Sequence, residues 1–196
     1  MKAKRCGVLI AVLAMMLLSG ACGMKGDDTA ERQAALRTIK GFYLWALEHR
    51  KEVEALQPVI KDIPQSNRFY LDISHLDGFA KKFLDSDFFA PEFAAAVRKY
   101  YERYKAQFEA LPEKEFAELK KSGRGPMMEV EDMDIFFCAQ EYDDTPDFVA
   151  KMAIKSFRIS GDRAEVVVIS PYQWETDFTM VKREGRWLIS RYCVFQ

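Results

Sequence analysis

The sequence predicts an α+β protein in which N-terminal helices pack on a C-terminal four-stranded antiparallel meander. Two observations predict this class. Apolar residues between positions 29 and 121 recur at the three-to-four spacing of a helix face, whereas four later segments are rich in Val, Ile, Phe and Trp. Short turn signals at 160–162 and 184–185 separate those later segments. Helices first and strands afterwards are typical of helices packed on one face of one sheet.

Four helices are predicted, over residues 29–49, 74–84, 91–111 and 113–121. The first has a stripe that includes Ala35, Ile39, Phe42 and Ala46, and Gly41 within it predicts the close approach of a neighbouring element. Pro91 suits the first position of the third helix. Residues 50–70 contain Pro58 and Pro64 and are predicted to be irregular.

Strands are predicted over 148–159, 163–170, 173–183 and 186–195. Their short connections predict an antiparallel meander. Residues 29–196 are therefore expected to form a single domain.

The first 21 residues have the order of a secretory signal. A basic head contains Lys2, Lys4 and Arg5, an uncharged apolar run covers 7–18, and small residues occupy 19–21. The apolar run is shorter than the ~20 residues of a membrane-spanning helix. The alternative is a short hydrophobic anchor that stays on the protein.

Residues 18–22, Leu-Ser-Gly-Ala-Cys, resemble the lipobox of bacterial lipoproteins. The resemblance implies lipidation of Cys22, with residues 22–28 as a tether; Ser19 and Ala21 also suit the ordinary signal peptidase. Gly23 after the cysteine implies, by the same resemblance, outer-membrane sorting and a periplasm-facing domain. Cleavage would remove three basic residues and no acidic one, leaving 26 basic and 30 acidic residues and a net charge of −4.

The composition excludes several function classes. Hydrophobic residues make up 49% and charged residues 30%, which is ordinary for a globular protein. The full chain has a formal net charge of −1, which argues against nucleic acid as a partner. The only histidines, His49 and His75, lie in no recognisable catalytic motif. The sequence predicts no cofactor.

Cys138 and Cys193 are the cysteines that remain after Cys6 and Cys22 are set aside. Because an exported protein lies where disulfides persist, the two are candidates for a bridge. The alternative is a pair of separate buried thiols.

Three short motifs resemble the DUF3828 family of bacterial envelope lipoproteins. They lie at 42–45, 132–142 and 185–189, and their matching residues are Phe42, Tyr43, Trp45, Asp132, Asp134, Phe136, Ala139, Gln140, Tyr142, Gly185, Trp187 and Ile189. The departures are Ala46, Ile135 and Glu141. The resemblance implies an NTF2-like or cystatin-like curved sheet with helices in its concavity, and it implies no activity.

Residues 129–147, the acidic segment, contain eight carboxylates and no Lys or Arg. Three interpretations remain open: a solvated loop, a surface for a basic partner, and calcium coordination. The candidate residues for a partner or a cation are Glu129, Asp132, Asp134, Gln140, Glu141 and Asp143. Apolar residues 135–138 within the segment predict that it is anchored against the helices.

Two hypotheses for the function follow. The first is a non-enzymatic lipoprotein of the bacterial envelope, held at the membrane by its N-terminal lipid, that binds another envelope component. The second is an NTF2-like pocket protein with isomerase-like chemistry at Tyr43 and Asp134, which rests on analogy of fold. The second hypothesis requires a cavity of about 300 Å³ or more between helices and sheet.

Overall fold

A computed structural model describes residues 25–123, 125–128 and 133–196. Its helices are α1 (Lys25–Glu54), α2 (Leu76–Leu84), α3 (Glu92–Ala110), α4 (Glu113–Lys121) and α5 (Pro146–Lys151). Its strands are β1 (Val59–Asp62), β2 (Phe69–Asp72), β3 (Ala153–Ser160), β4 (Arg163–Ile169), β5 (Glu175–Arg183) and β6 (Arg186–Tyr192). The predicted α+β class, with helices before a four-stranded antiparallel sheet, is confirmed.

The large sheet has the strand order β3-β4-β5-β6. Its β6 edge is covered by the chain before α3, because Ala90 N–H donates to the Ile189 carbonyl and Ile189 N–H donates to Phe88, each at 2.8 Å. β3 forms the opposite edge and carries Lys155 and Arg158, charged residues that discourage edge-to-edge pairing.

Helix α1 lies across one face of this sheet. The stripe predicted from the sequence, Ala35, Ile39, Phe42 and Ala46, is completely buried. The core is rich in aromatic rings, and Phe42 contacts Phe89 and Tyr192 edge-to-face at 4.9 and 5.2 Å between centroids. Such pairs add about 0.5–1.5 kcal/mol each beyond the burial of their area.

Gly41 allows the close approach that its position predicts. A Cβ on Gly41 would lie 2.5 Å from a carbon of the Phe88 ring, inside van der Waals contact. The segment that covers the β6 edge therefore packs directly against the backbone of α1.

Several boundaries differ from the prediction. Helix α1 extends beyond 29–49 at both ends. The segment 50–70 contains the end of α1 and most of a hairpin over 59–72, in which Val59 pairs with Asp72 and Asp62 with Phe69. The segment predicted as the start of the first sheet strand, 148–151, belongs to α5. Thr145 begins that helix, its hydroxyl accepting a hydrogen bond from Phe148 N–H at 3.2 Å, and Pro146 follows.

Contacts fix the direction of α1 along the sheet. Near the start of α1, Glu31 accepts hydrogen bonds from Lys182 and Trp187, which lie beside the 184–185 turn. Near the end of α1, Arg50 forms an ion pair with Asp134. Residues 31 and 50 are about 29 Å apart along the helix axis. Within the three described ranges no helix is both long and apolar enough to cross a membrane.

Candidate functional site at the acidic segment

Arg50 ties the end of α1 to the acidic segment. Its guanidinium pairs with the Asp134 carboxylate and lies 3.5 Å from Asp144. The same group sits 5.1 Å from the ring centroid of Phe136 and 5.3 Å from that of Tyr142. Although burial opposes the charged form, the hydrogen bond and charge of Asp134 raise the pKa of Arg50, so Arg50 stays a cation.

Asp134 also organises the backbone of the turn that follows it. Its second carboxylate oxygen accepts hydrogen bonds from the N–H groups of Phe136 and Phe137, at 2.9 and 2.7 Å. Its side chain is only 8% exposed. Asp134 is therefore engaged within the chain, and the part of the segment open to a partner lies further along.

The apolar residues of the segment anchor it, as expected from the sequence. Ile135, Phe136 and Phe137 are buried. Tyr192 Oη donates to the Ile135 carbonyl at 2.6 Å, and Thr176 Oγ1 donates to the Phe137 carbonyl at 3.3 Å. The acidic turn is thus fixed to β5 and β6 through side chains of the sheet.

Cys138 and Cys193 meet directly beside this turn. Their sulfur atoms are 2.15 Å apart, their Cα atoms 5.5 Å apart, and Met133 Sδ lies 3.6 Å from each sulfur. The bridge joins the C-terminal segment, including the buried Phe195, to the acidic segment. Both cysteines have positive φ, 52° and 56°, a conformation that costs an L-residue about 1–2 kcal/mol.

Beyond the turn, the acidic segment faces solvent together with the β4–β5 loop. Gln140, Glu141 and Asp143 are exposed, and the Asp144 side chain is 58% exposed. Tyr172 and Trp174 of the loop are 47% and 39% exposed, and Tyr172 Oη donates to Asp143 at 2.7 Å. This hydrogen bond raises the pKa of Tyr172. We call Glu141, Asp143, Asp144, Tyr172 and Trp174 the distal surface.

Three residues of this region were not predicted from the sequence: Arg50, Tyr172 and Trp174. Arg50 reaches its partner across 84 residues, and local spacing carries no such information. The two aromatic residues did carry a signal, because they follow Pro171 directly, next to the connection between two predicted strands. The Tyr172 ring also lies 5.3 Å from the ring of the buried Phe148.

Some candidate residues lie outside the described residues. They are Cys22, Glu129 and Asp132, together with the predicted signal over 1–21. Within the described ranges, no group of three or more His, Cys, Asp or Glu side chains is arranged to hold a metal ion.

The described residues around Tyr43 leave little room for a substrate beside the predicted Tyr43–Asp134 acid–base pair. Tyr43 is buried, stacks on Phe137 at 4.9 Å between centroids, and has a pKa raised well above its ordinary value by burial. The depression beside it, which Trp174 and Thr176 also line, has a volume of about 10 Å³. That volume holds about one water molecule.

The two histidines have structural surroundings. His49 Nδ1 lies 2.9 Å from the Trp45 carbonyl and its ring stacks on Trp45 at 5.1 Å. His75 precedes the first residue of α2. Neither lies in the depression beside Tyr43.

Comparisons with known proteins give no match: no family model, curated protein or solved structure is similar to this chain. The resemblance to the DUF3828 family therefore stays a prediction from the sequence motifs.

Proposed function

We propose that this chain is a lipoprotein of the bacterial envelope, anchored through Cys22, that binds another envelope component and is not an enzyme. The order of charges and apolar residues before Cys22 supports export and lipidation. The Cys138–Cys193 pair, at bonding distance, suits an oxidising compartment such as the periplasm.

The distal surface is the observation that carries the binding role. It combines two exposed aromatic side chains with three exposed carboxylates on a support braced by Arg50, Asp134 and the cysteine bridge. Tyr and Trp provide large contact areas at low cost in side-chain entropy, so they are frequent at the centre of interfaces. The carboxylates favour a partner that presents Lys or Arg.

The position of the distal surface fits the proposed anchor. Residue 31 lies near the start of α1, close to the tether in sequence, whereas Arg50 and the distal surface lie at the other end, about 29 Å further along the helix axis. A domain tethered at Cys22 would therefore present this surface away from the bilayer, toward proteins of the periplasm.

The isomerase-like alternative receives little support. It requires a cavity of about 300 Å³ or more between helices and sheet. A depression of about 520 Å³ does lie between α1 and β6, but neither Tyr43 nor Asp134 lines it. The depression beside Tyr43 measures about 10 Å³, and Asp134 is held by Arg50 and by two backbone N–H groups.

The test is site-specific photo-crosslinking in living cells. A benzophenone amino acid replaces Trp174, and in a second strain it replaces Lys114 on α4. We expect a crosslinked partner from position 174 and none from position 114. The adduct should be lost when Glu141→Lys and Asp143→Lys are combined, but kept with Glu102→Lys and Glu113→Lys, which change the net charge equally on exposed helix positions.

Thermal unfolding of both double variants confirms that each is folded. An adduct that survives reversal of the distal charges, or the absence of any adduct at position 174, would contradict the proposal.

A further inference from the structure

The face of the large sheet opposite α1 carries arginines in register. Arg158 of β3 pairs with Glu165 of β4, Glu165 with Thr179 of β5, and Thr179 with Arg191 of β6. Directly paired residues of an antiparallel sheet project from the same face. These four side chains therefore form one row across all four strands, about 14 Å long between its outer Cα atoms.

Arg163 lies on the same face, two residues before Glu165 on β4. Buried side chains of the same strand, Ala164, Val166 and Val168, project toward the helices instead. We call the set Arg158, Arg163, Glu165, Thr179 and Arg191 the arginine face.

The arginine face contains two open surface depressions. These depressions, of about 350 and 480 Å³, share Arg158, Glu165 and Thr179 in their walls. The larger one is also lined by Arg163 and Arg191, and the smaller one by Ser156 and Asp177. Together they form a groove across the strands.

The groove has a small excess of positive charge. Arg158 pairs with Glu165 at 3.5 Å, and Asp177 is a second carboxylate in the groove, so three guanidinium groups stand against two carboxylates. Arg163 and Arg191 are exposed and form no ion pair at contact distance within the described residues, although Arg163 interacts electrostatically with Glu92. This local excess contrasts with the formal net charge of −1 for the whole chain.

The groove also offers acceptors and hydroxyl groups. Guanidinium groups bind phosphate and carboxylate through two parallel N–H bonds. Exposed Asp177 and Glu165 provide carboxylates that accept hydrogen bonds from ligand hydroxyl groups, and Ser156 and Thr179 both donate and accept. A ligand matched to this set bears anionic groups and many hydroxyl groups on one extended chain.

We propose that the arginine face binds an anionic polysaccharide, a binding site separate from the distal surface. A polysaccharide offers several hydroxyl donors per sugar to Asp177 and Glu165, whereas an acidic peptide offers chiefly its backbone N–H groups. A flat bilayer surface does not enter a groove between side chains. A second copy of the chain would have to bring its acidic distal surface, at the far end from its tether, against the side of its neighbour.

The probe is polygalacturonate, a carboxylate-bearing polysaccharide, and the protein is residues 22–196 with Cys22→Ser, so that no acyl chain adds membrane affinity. Binding is measured by titration calorimetry at low ionic strength. We expect binding of polygalacturonate and none of dextran, its uncharged counterpart. Arg163→Glu with Arg191→Glu should weaken binding about tenfold or more, because two charge-assisted contacts are lost.

The matched control is Lys99→Glu with Lys114→Glu, which changes the net charge equally at exposed positions on α3 and α4. We expect less than about a twofold effect from it, the size of a distant and screened charge. Arg163→Lys with Arg191→Lys keeps the charge but not the paired N–H donors of a guanidinium group. Its loss of affinity should lie between that of the control variant and that of the arginine-to-glutamate variant.

Other outcomes overturn the proposal. Equal losses of affinity in the control and arginine variants would show that binding depends only on the net charge of the protein. Equal or tighter binding of poly-L-glutamate would assign the groove to an acidic peptide, and equal binding of phosphatidylglycerol vesicles would assign it to a membrane. Weaker binding of polygalacturonate after Asp177→Asn would support the hydroxyl contact, and unchanged or tighter binding would contradict it.

Discussion

Arg50, in the last turns of the first helix, pairs with Asp134, 84 residues further along the chain. The pair joins the helix layer to the acidic segment, and both side chains are largely buried, with exposed fractions of 16% and 8%. The distal surface lies directly beyond it. This ion pair therefore helps to position the carboxylates of the distal surface, whereas Tyr172 and Trp174 stand on the β4–β5 loop.

Asp134→Ala should lower the free energy of unfolding by about 3 kcal/mol or more, because it leaves the Arg50 guanidinium partly buried without its main partner and removes the acceptor for two backbone N–H groups. Asp144→Ala is the control, since that exposed carboxylate lies 3.5 Å from Arg50 and should cost less than about 1 kcal/mol. Urea unfolding measures both values. Similar costs for the two variants would show that the buried pair has no special role.

The bridge between Cys138 and Cys193 closes a loop of 55 residues, so Cys138→Ala with Cys193→Ala should lower the free energy of unfolding by about 2–4 kcal/mol. Reductant should lower the unfolding temperature of the parent chain and leave that of the double variant unchanged. Thiol counting on denatured, non-reduced protein provides an independent check. Two free thiols at these positions would contradict the bridge.

Two helix glycines should respond in opposite directions to alanine. Gly41→Ala gains about 1 kcal/mol of helix propensity but forces a Cβ to 2.5 Å from the Phe88 ring, and overpacking of this kind costs about 1–3 kcal/mol. Gly78→Ala meets only Leu56 carbons at 3.7 Å and should be stabilising. Thermal unfolding of the two variants should therefore place Gly41→Ala below the parent chain and Gly78→Ala above it. The reverse order would show that α1 does not pack as described.

Glu31 provides a dependence of stability on pH. Its hydrogen bonds with Lys182 and Trp187 lower the pKa of its carboxyl group in the folded chain. A depressed pKa contributes stability above the unfolded value, and that contribution disappears as the pH falls through the folded value. The difference in free energy of unfolding between the parent chain and Glu31→Gln should thus be largest near about pH 6 and smallest near about pH 3. A difference that grows on acidification would contradict these contacts.

The sequence predicted those parts of the fold that repeat over many residues. The apolar stripe of α1 and the four sheet strands are long enough for the spacing of their apolar residues to indicate helix or strand. The predicted α+β class was confirmed. The β1–β2 hairpin was missed because each strand has only four residues, next to two prolines. Residues 148–151 of α5 were predicted as strand because their apolar side chains continue directly into β3, although Thr145 and Pro146 provide a helix start signal.

The candidate site was predicted only in part. The acidic segment and its apolar anchor could be found from composition, because carboxylates without basic neighbours stand out along a chain. The role of Asp134 could not be predicted, because its partner Arg50 is distant in sequence. Thr176 and Tyr192, which hold the carbonyls of Phe137 and Ile135 in the same turn, come from two further elements. The arginine face was missed for the same reason: its members are adjacent only after the strands have paired.

Metabolic labelling with an alkyne analogue of palmitate tests the anchor at Cys22 most directly. The parent chain and Cys6→Ser should yield a labelled mature protein in the membrane fraction, whereas Cys22→Ser should yield none. An unlabelled mature protein that fractionates with the soluble periplasm would contradict both the lipid anchor and the orientation assigned to the distal surface.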